Sequence, residues 1–337
     1  MRRRPSALAL LACVCLALPA AHADDGAHPL RDLLRERLAA RRAGADPGAR
    51  LTPGDHTFHL EHGGLTRKYI LHVPAGYDGS RPLPLVVALH GGGGHAEAMA
   101  DDSRYGLGSS ADREGFAVVF PNGYSRLPGG RFATWNAGAC CGDARDQGVD
   151  DVGFIRALVA TVKTQLRIDP DRVFAAGMSN GGMLSHRLAC EAPHLFRAIA
   201  SVAGPDVTLD CAPARAVSIL HIHARDDDHV LFDGGAGPGA FRDPGKVTDF
   251  TSVPETIARW VRRDQCATPP RRVLEHPGAY CERYTGCRGG ASVQLCVTER
   301  GGHSWPGADA SRPGQAAPSQ ALDANGVIWR FFQDAGG

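Results

Sequence analysis

The amino-acid sequence predicts an α/β domain whose mostly parallel sheet carries helices on both faces. Three observations lead there. Uninterrupted apolar runs of strand length recur from Pro82 onward, among them "LPLVVALH", "FAVVFPN" and "AVSILHIHA", and continuous apolar strands belong to a sheet buried on both sides. Runs with helical spacing alternate with them, such as "VGFIRALVATVKTQL" and "SVPETIARWVRR", the alternation that parallel crossovers require. The roughly 314 residues that follow residue 23 suit one large domain with a substantial core.

The elements follow in order. The chain opens on "MRRRPSALALLACVCLALPAAHADD", with three arginines, an apolar stretch from Ala7 to Ala20 and a small-x-small ending at Ala21-His22-Ala23. Residues 1–23 therefore read as a secretory signal peptide, too short to span a membrane, and the mature protein is expected to be secreted or periplasmic. A lipoprotein signal at Cys13 is the competing reading, weakened by the short apolar core before it. Residues 24–50 place Leu30, Leu33, Leu34 and Leu38 at helical spacing in a charged segment, expected to be a helical arm. The main domain, residues 51–337, begins with two strand-like runs around Gly63-Gly64, a hairpin signal. The alternation then runs through "RVFAAGMS", "GGMLSHRLAC", "AIASVAG" and "ASVQLCVTE" to "GVIWRFF".

Two long glycine-rich stretches, 121–150 and 233–251, break that rhythm. Such loops in a compact domain usually carry function or motion. The first holds Trp135 and the adjacent Cys140 and Cys141, and reads as a substrate-facing loop pinned by covalent chemistry.

Charge and cysteines narrow the class. The chain has 37 basic and 36 acidic residues; without the three arginines of residues 1–23 the balance is 34 − 36 = −2. Neither nucleic acid nor an anionic membrane is expected as the main partner. Eight cysteines follow residue 23, an even count that reads as disulfides in an exported chain. Their spacing contains no C-x-x-C, so a cysteine-built zinc site is not expected.

Residues 177–183 read "GMSNGGM", a G-x-S-x-G pattern between a strand-like run and a helix-like one. A turn that sharp needs flanking glycines and pushes the serine Oγ out at the strand's carboxyl end, so Ser179 is the candidate nucleophile. It needs a base and a carboxylate to orient that base, in the chain order Ser, Asp, His. "RDDDHV" supplies Asp226, Asp227 and Asp228 after a strand, and "ERGGHSWPG" places His303 in a later glycine-rich loop. His90, His186, His221 and His223 compete for the base role but read as packed histidines. "LHGGGG", residues 89–94, supplies unobstructed N–H groups at Gly91 and Gly92, which with the N–H of Asn180 form a candidate oxyanion hole. Trp135 and Trp305 are candidates for the substrate wall, with core packing as the alternative. In "HIHARDDDH" the Asp-His pair lies too far from the second histidine for the H-x-H-x-D-H metal pattern, so no metal is expected.

Together, "LHGGGG", "FPNGY", "WNAGACCG", "VDDVGFI", "GMSNGGM", "RLACE", "HIHARDDDHV", "SVPETIARWV", "YTGC" and "GGHSWPG" resemble the secreted esterases of the polyhydroxybutyrate depolymerase family, which takes in feruloyl and acetylxylan esterases. The similarity covers residues 55–334. It implies an α/β-hydrolase fold and a cofactor-free serine esterase acting on hydroxyalkanoate oligomers or related esters. A feruloyl or acetylxylan esterase is the alternative, and an acyltransferase or an inactive binding protein would share the scaffold. The resemblance implies Ser179 as nucleophile, His303 as general base and acid, and Asp227 as the orienting carboxylate. The family pattern H-I-H-G-x-x-D fits His221-Ile222-His223 and Asp227, but Ala224 stands for the glycine and Asp228 and Leu231 for frequent prolines, so Asp226 and Asp228 stay open. Family pattern further implies the pairs Cys190–Cys211 and Cys266–Cys287, which would leave Cys281 with Cys296 and Cys140 with Cys141.

Overall fold

A computed structural model describes residues 51–240, 249–311 and 314–336; the signal-like segment and the expected arm lie outside the described residues. Strand β1 (Gly54–His62) turns at Gly63-Gly64 into β2 (Leu65–Val73), the two glycines having φ of 58° and 75°. Side chains with a Cβ rarely adopt that conformation, which is why the turn falls there. Strand β3 (Leu83–Leu89) leads through short helices α1 (Ala96–Met99) and α2 (Asp102–Tyr105) into α3 (Leu107–Glu114) and β4 (Ala117–Pro121). Helix α4 (Gly142–Asp146) sits within the first glycine-rich stretch, followed by α5 (Asp151–Gln165), β5 (Ile168–Met178), α6 (Asn180–Glu191), β6 (Ala198–Val202) and β7 (Ser218–Ala224). Helix α7 (Val253–Arg263), strands β8 (Arg271–His276), β9 (Ala279–Tyr284) and β10 (Val293–Thr298), and helix α8 (Ala324–Gly336) follow.

The strands form one sheet in the order β1-β2-β4-β3-β5-β6-β7-β10-β9-β8. Its middle, from β4 to β10, is parallel, and an antiparallel pair extends each edge. Strand β3 shows how a continuous apolar run serves two cores. Leu85, Val87 and Leu89 pack on one face with Phe154, Leu158, Leu188 and Trp260 of α5, α6 and α7. Val86 and Ala88 pack on the other with Ala111 of α3 and Ile328 and Phe332 of α8. Phe332 stacks on Phe174 of β5, centroids 4.5 Å apart, a contact worth about 1 kcal/mol beyond the area it buries.

The β8–β9 hairpin has no counterpart in the sequence reading. Strand β8 is exposed at all but one of its positions, and its Arg and Glu residues hide the β signal. Pro277-Gly278 was the legible clue, since Gly278 turns at φ 83° between the strands. Cys281 and Cys296 face one another across β9 and β10 and are joined, as are Cys190 with Cys211, Cys266 with Cys287, and Cys140 with Cys141. No helix among the described residues is long and apolar enough to cross a membrane.

Candidate active site

The strand order reverses between β3 and β5, with β4 on one side and β6 on the other. Crevices outside the carboxyl ends of strands gather ligands at such a point, and both glycine motifs lie there. Ser179 follows β5 with φ 53° and ψ −121°, a sparsely populated conformation for a residue with a side chain. Its N–H donates to the Val202 carbonyl at 2.7 Å, and its carbonyl accepts from Met183 at 2.9 Å, so neighbouring elements impose the turn. Gly181 is required by approach rather than by φ: an added Cβ would collide with the Leu89 and His90 carbonyl oxygens.

The loop after β3 is braced from several sides. His90 is buried; its Nδ1 lies 2.8 Å from the Gly91 carbonyl oxygen, and its Nε2 accepts from the Gly123 N–H at 2.9 Å. Those partners put the ring proton on Nδ1 and make His90 a brace for the glycine run. Trp135, expected on the substrate wall, is instead fully buried in the core and does not line the cavity beside Ser179. Its indole N–H donates to the His90 carbonyl at 2.9 Å, while the Asn180 side chain bonds both its N–H and its carbonyl, at 2.7 and 3.0 Å. An indole needs a partner for its single N–H when buried, and here the partner is the backbone of the glycine loop. The buried Arg67–Asp151 pair, at 2.7 Å, supports the same region, since Asp151 also accepts from the Asn136 N–H at 2.8 Å.

Of the three aspartates after β7, Asp227 meets His303: Oδ2 lies 2.8 Å from Nδ1. Its Oδ1 accepts from the N–H groups of His229 and Val230, each at 2.9 Å. Burial alone would raise the Asp227 pKa, but His223 and His303, through hydrogen bonds and charge, hold it far below the usual carboxylate range. His303 is pushed down by burial, with Asp227 pulling it back up, and the net direction is down. Asp226 points elsewhere and accepts from the N–H groups of Gly302 and Gly301 at 2.8 and 3.4 Å, pinning the His303 loop. Asp228 is exposed and pairs with His229 at 2.7 Å.

The remaining buried histidines support the site from behind. His223 Nε2 lies 2.8 Å from the Val230 carbonyl oxygen and 3.4 Å from Asp227 Oδ2, and its Nδ1 lies 3.0 Å from His221 Nε2. His186 accepts the Trp260 indole N–H at 2.9 Å, and burial pushes its pKa down to about 4. Among the described residues, Asp227, Asp228 and His229 are the one group close enough to share a metal ion, but both Asp227 oxygens are already committed to hydrogen bonds.

Ser179 and His303 line one cavity of about 350 Å³, to which Asn180, Gly91, Gly92 and Trp305 also contribute. Met178, Met183, Cys141, Val230 and Phe250 make much of its wall apolar. The Trp305 indole N–H donates to Asn325 at 3.1 Å, and its ring meets Tyr105 edge-on.

This sheet order, with a strained serine at the β5–α6 turn and a carboxylate-paired histidine at the same edge, defines an α/β-hydrolase fold. An acetyl xylan esterase from Aspergillus awamori, 14% identical, matches it with a TM-score of 0.56 over 83% of this chain and 99% of its own, a likeness of fold. The family described as esterase PHB depolymerase matches residues 67–243. Feruloyl esterase B of Piromyces equi is 31% identical over 244 residues, which are 71% of this chain and 42% of the relative. The putative esterase NocK of Nocardia uniformis subsp. tsuyamanensis is 34% identical over 260 residues, 72% of each chain. The chain belongs to the esterase PHB depolymerase family. It spans less than half the length of the Piromyces relative, and His303 lies beyond the matched family region.

Proposed function

We propose that the protein is a serine esterase that hydrolyses carboxylic esters through an acyl-enzyme on Ser179. The observation that supports this most is the meeting of the Asp227–His303 pair with the strained Ser179 turn at one cavity. With its Nδ1 proton directed at Asp227, His303 presents Nε2 as the base. Ser179 Oγ attacks the ester carbonyl carbon while its proton passes to Nε2. The oxyanion takes N–H groups of Asn180 and of the Gly91-Gly92 loop, and the imidazolium returns the proton to the departing alcohol. Water then attacks the acyl-enzyme carbonyl, giving its proton to His303, which returns it to Ser179 Oγ as the acyl–Oγ bond breaks and the acid is released.

Hydroxyalkanoate oligomers or related small esters are the substrate class that family membership favours. A feruloyl ester is the second reading, favoured by the feruloyl esterases among the relatives. Export to the periplasm or beyond agrees with four disulfides among the described residues.

The test is a hydrolysis panel of p-nitrophenyl acetate and butyrate, methyl ferulate, acetylated xylan and hydroxybutyrate oligomers. Ser179→Ala is expected to lower kcat by a factor on the order of 10⁴ or more. Equal rates for wild type and Ser179→Ala would remove the nucleophile assignment, and turnover confined to methyl ferulate would select the second reading.

A further inference from the structure

The rings of His229 and His303 lie face to face, with centroids 4.7 Å apart and planes within 10° of parallel. His229 is held on its other edges. Its Nδ1 lies 2.7 Å from Asp228 Oδ1, its Nε2 lies 3.3 Å from Gln315 Nε2, and its backbone N–H donates to Asp227 at 2.9 Å. Gly239 closes behind the ring, where a Cβ would crowd Nδ1 and Cε1. Asp228 thus pairs with His229 and Asp227 with His303, and those two imidazoles are stacked.

The partners select a tautomer. Asp228 accepts from Nδ1, and the Gln315 amide donates to Nε2, so the proton sits on Nδ1 and the ring is neutral in that state. A neutral aromatic face set parallel to His303 does two things: it blocks tilting of the ring away from Asp227, and it presents π density to the imidazolium formed at each proton transfer.

We propose that His229 is a positioning residue for His303, a plate held by Asp228 and Gln315 against which the base is kept in line with Ser179. The proposal rests on His303 being the base. The titratable groups facing His303 are Asp227, His223 and His229, and those facing His229 are Asp228 and His303.

The experiment is steady-state hydrolysis of p-nitrophenyl butyrate by the wild-type chain and by His229→Ala, His229→Phe and His303→Ala, with thermal melts alongside. His229→Ala is expected to lose about tenfold in kcat with little change in KM, as loss of orientation does. His229→Phe keeps a flat ring and should recover to within about threefold of wild type. Equal losses in the Ala and Phe variants, or wild-type kcat in His229→Ala, would overturn the proposal. Wild-type rates in His303→Ala would instead overturn the base assignment beneath it.

Discussion

Asp227 Oδ2 and His303 Nδ1 lie 2.8 Å apart although 76 residues separate them in the chain. Register brings them together: β7 and β10 are parallel neighbours, with Ala224 opposite Thr298, so the loops that follow both strands leave the sheet at the same edge. The consequences can be measured.

Asp227→Asn keeps the shape but removes the charge that holds the His303 proton on Nδ1. The expected result is a fall in kcat of about a thousandfold or more, with little change in KM. The wild-type acid limb should lie below the ordinary histidine pKa, because burial lowers His303 by more than Asp227 restores. His303 must be neutral to act, so kcat/KM should rise with pH through that lowered value and then level off.

Asp226 acts on the loop and not on the imidazole. Asp226→Ala removes the acceptor for the Gly301 and Gly302 N–H groups and should cost about 1 kcal/mol of stability and roughly tenfold in kcat. A melt and a rate measurement test it; full activity would show that the loop holds its geometry without that carboxylate.

Asp264 titrates in the opposite sense to Asp227. Burial pushes its pKa up to about 7, and Arg288, the Val217 backbone and Arg263 only partly offset this. The folded chain therefore holds a proton there that the unfolded chain has released. Stability is lost as pH rises from about 4 to 7, by up to roughly 4 kcal/mol. Asp264→Asn removes the ionisation, so its melting temperature should exceed that of wild type by more at pH above 7 than near pH 4, as thermal melts at the two pH values would show.

Gly181→Ala tests the close approach of α6 to β3. The added methyl would meet the Leu89 and His90 carbonyls, and relieving that overlap should cost about 1–3 kcal/mol. Activity should fall as well, because the displaced segments carry Ser179 and the glycine loop.

Much of the sheet was legible in the residues. Strands β3 to β7 are apolar runs covered on both faces, and burial on both faces leaves an uninterrupted signal in sequence. The β8–β9 hairpin left only its Pro277-Gly278 turn, because its outer strand faces solvent and carries arginine and glutamate. At the site, the Ser179 turn was readable from glycine spacing. The place of Trp135 was not: an aromatic in a long loop reads alike whether it faces substrate or braces the backbone behind it. His221 and His223 of "HIHARDDDH" were readable as packed, but nothing in the spacing announces that His229 stacks on His303 from outside the strand.

The sequence by itself determined the α/β class, the serine turn and the order in which serine, aspartate and histidine follow, because these depend on local periodicity and on backbone sterics within a few residues. Only the tertiary structure decided which aspartate meets His303, which tryptophan reaches the cavity and which histidine lies against the base. Those choices depend on side-chain direction at loop ends. In an irregular turn a shift of one residue reverses that direction, and only packing against distant strands sets it.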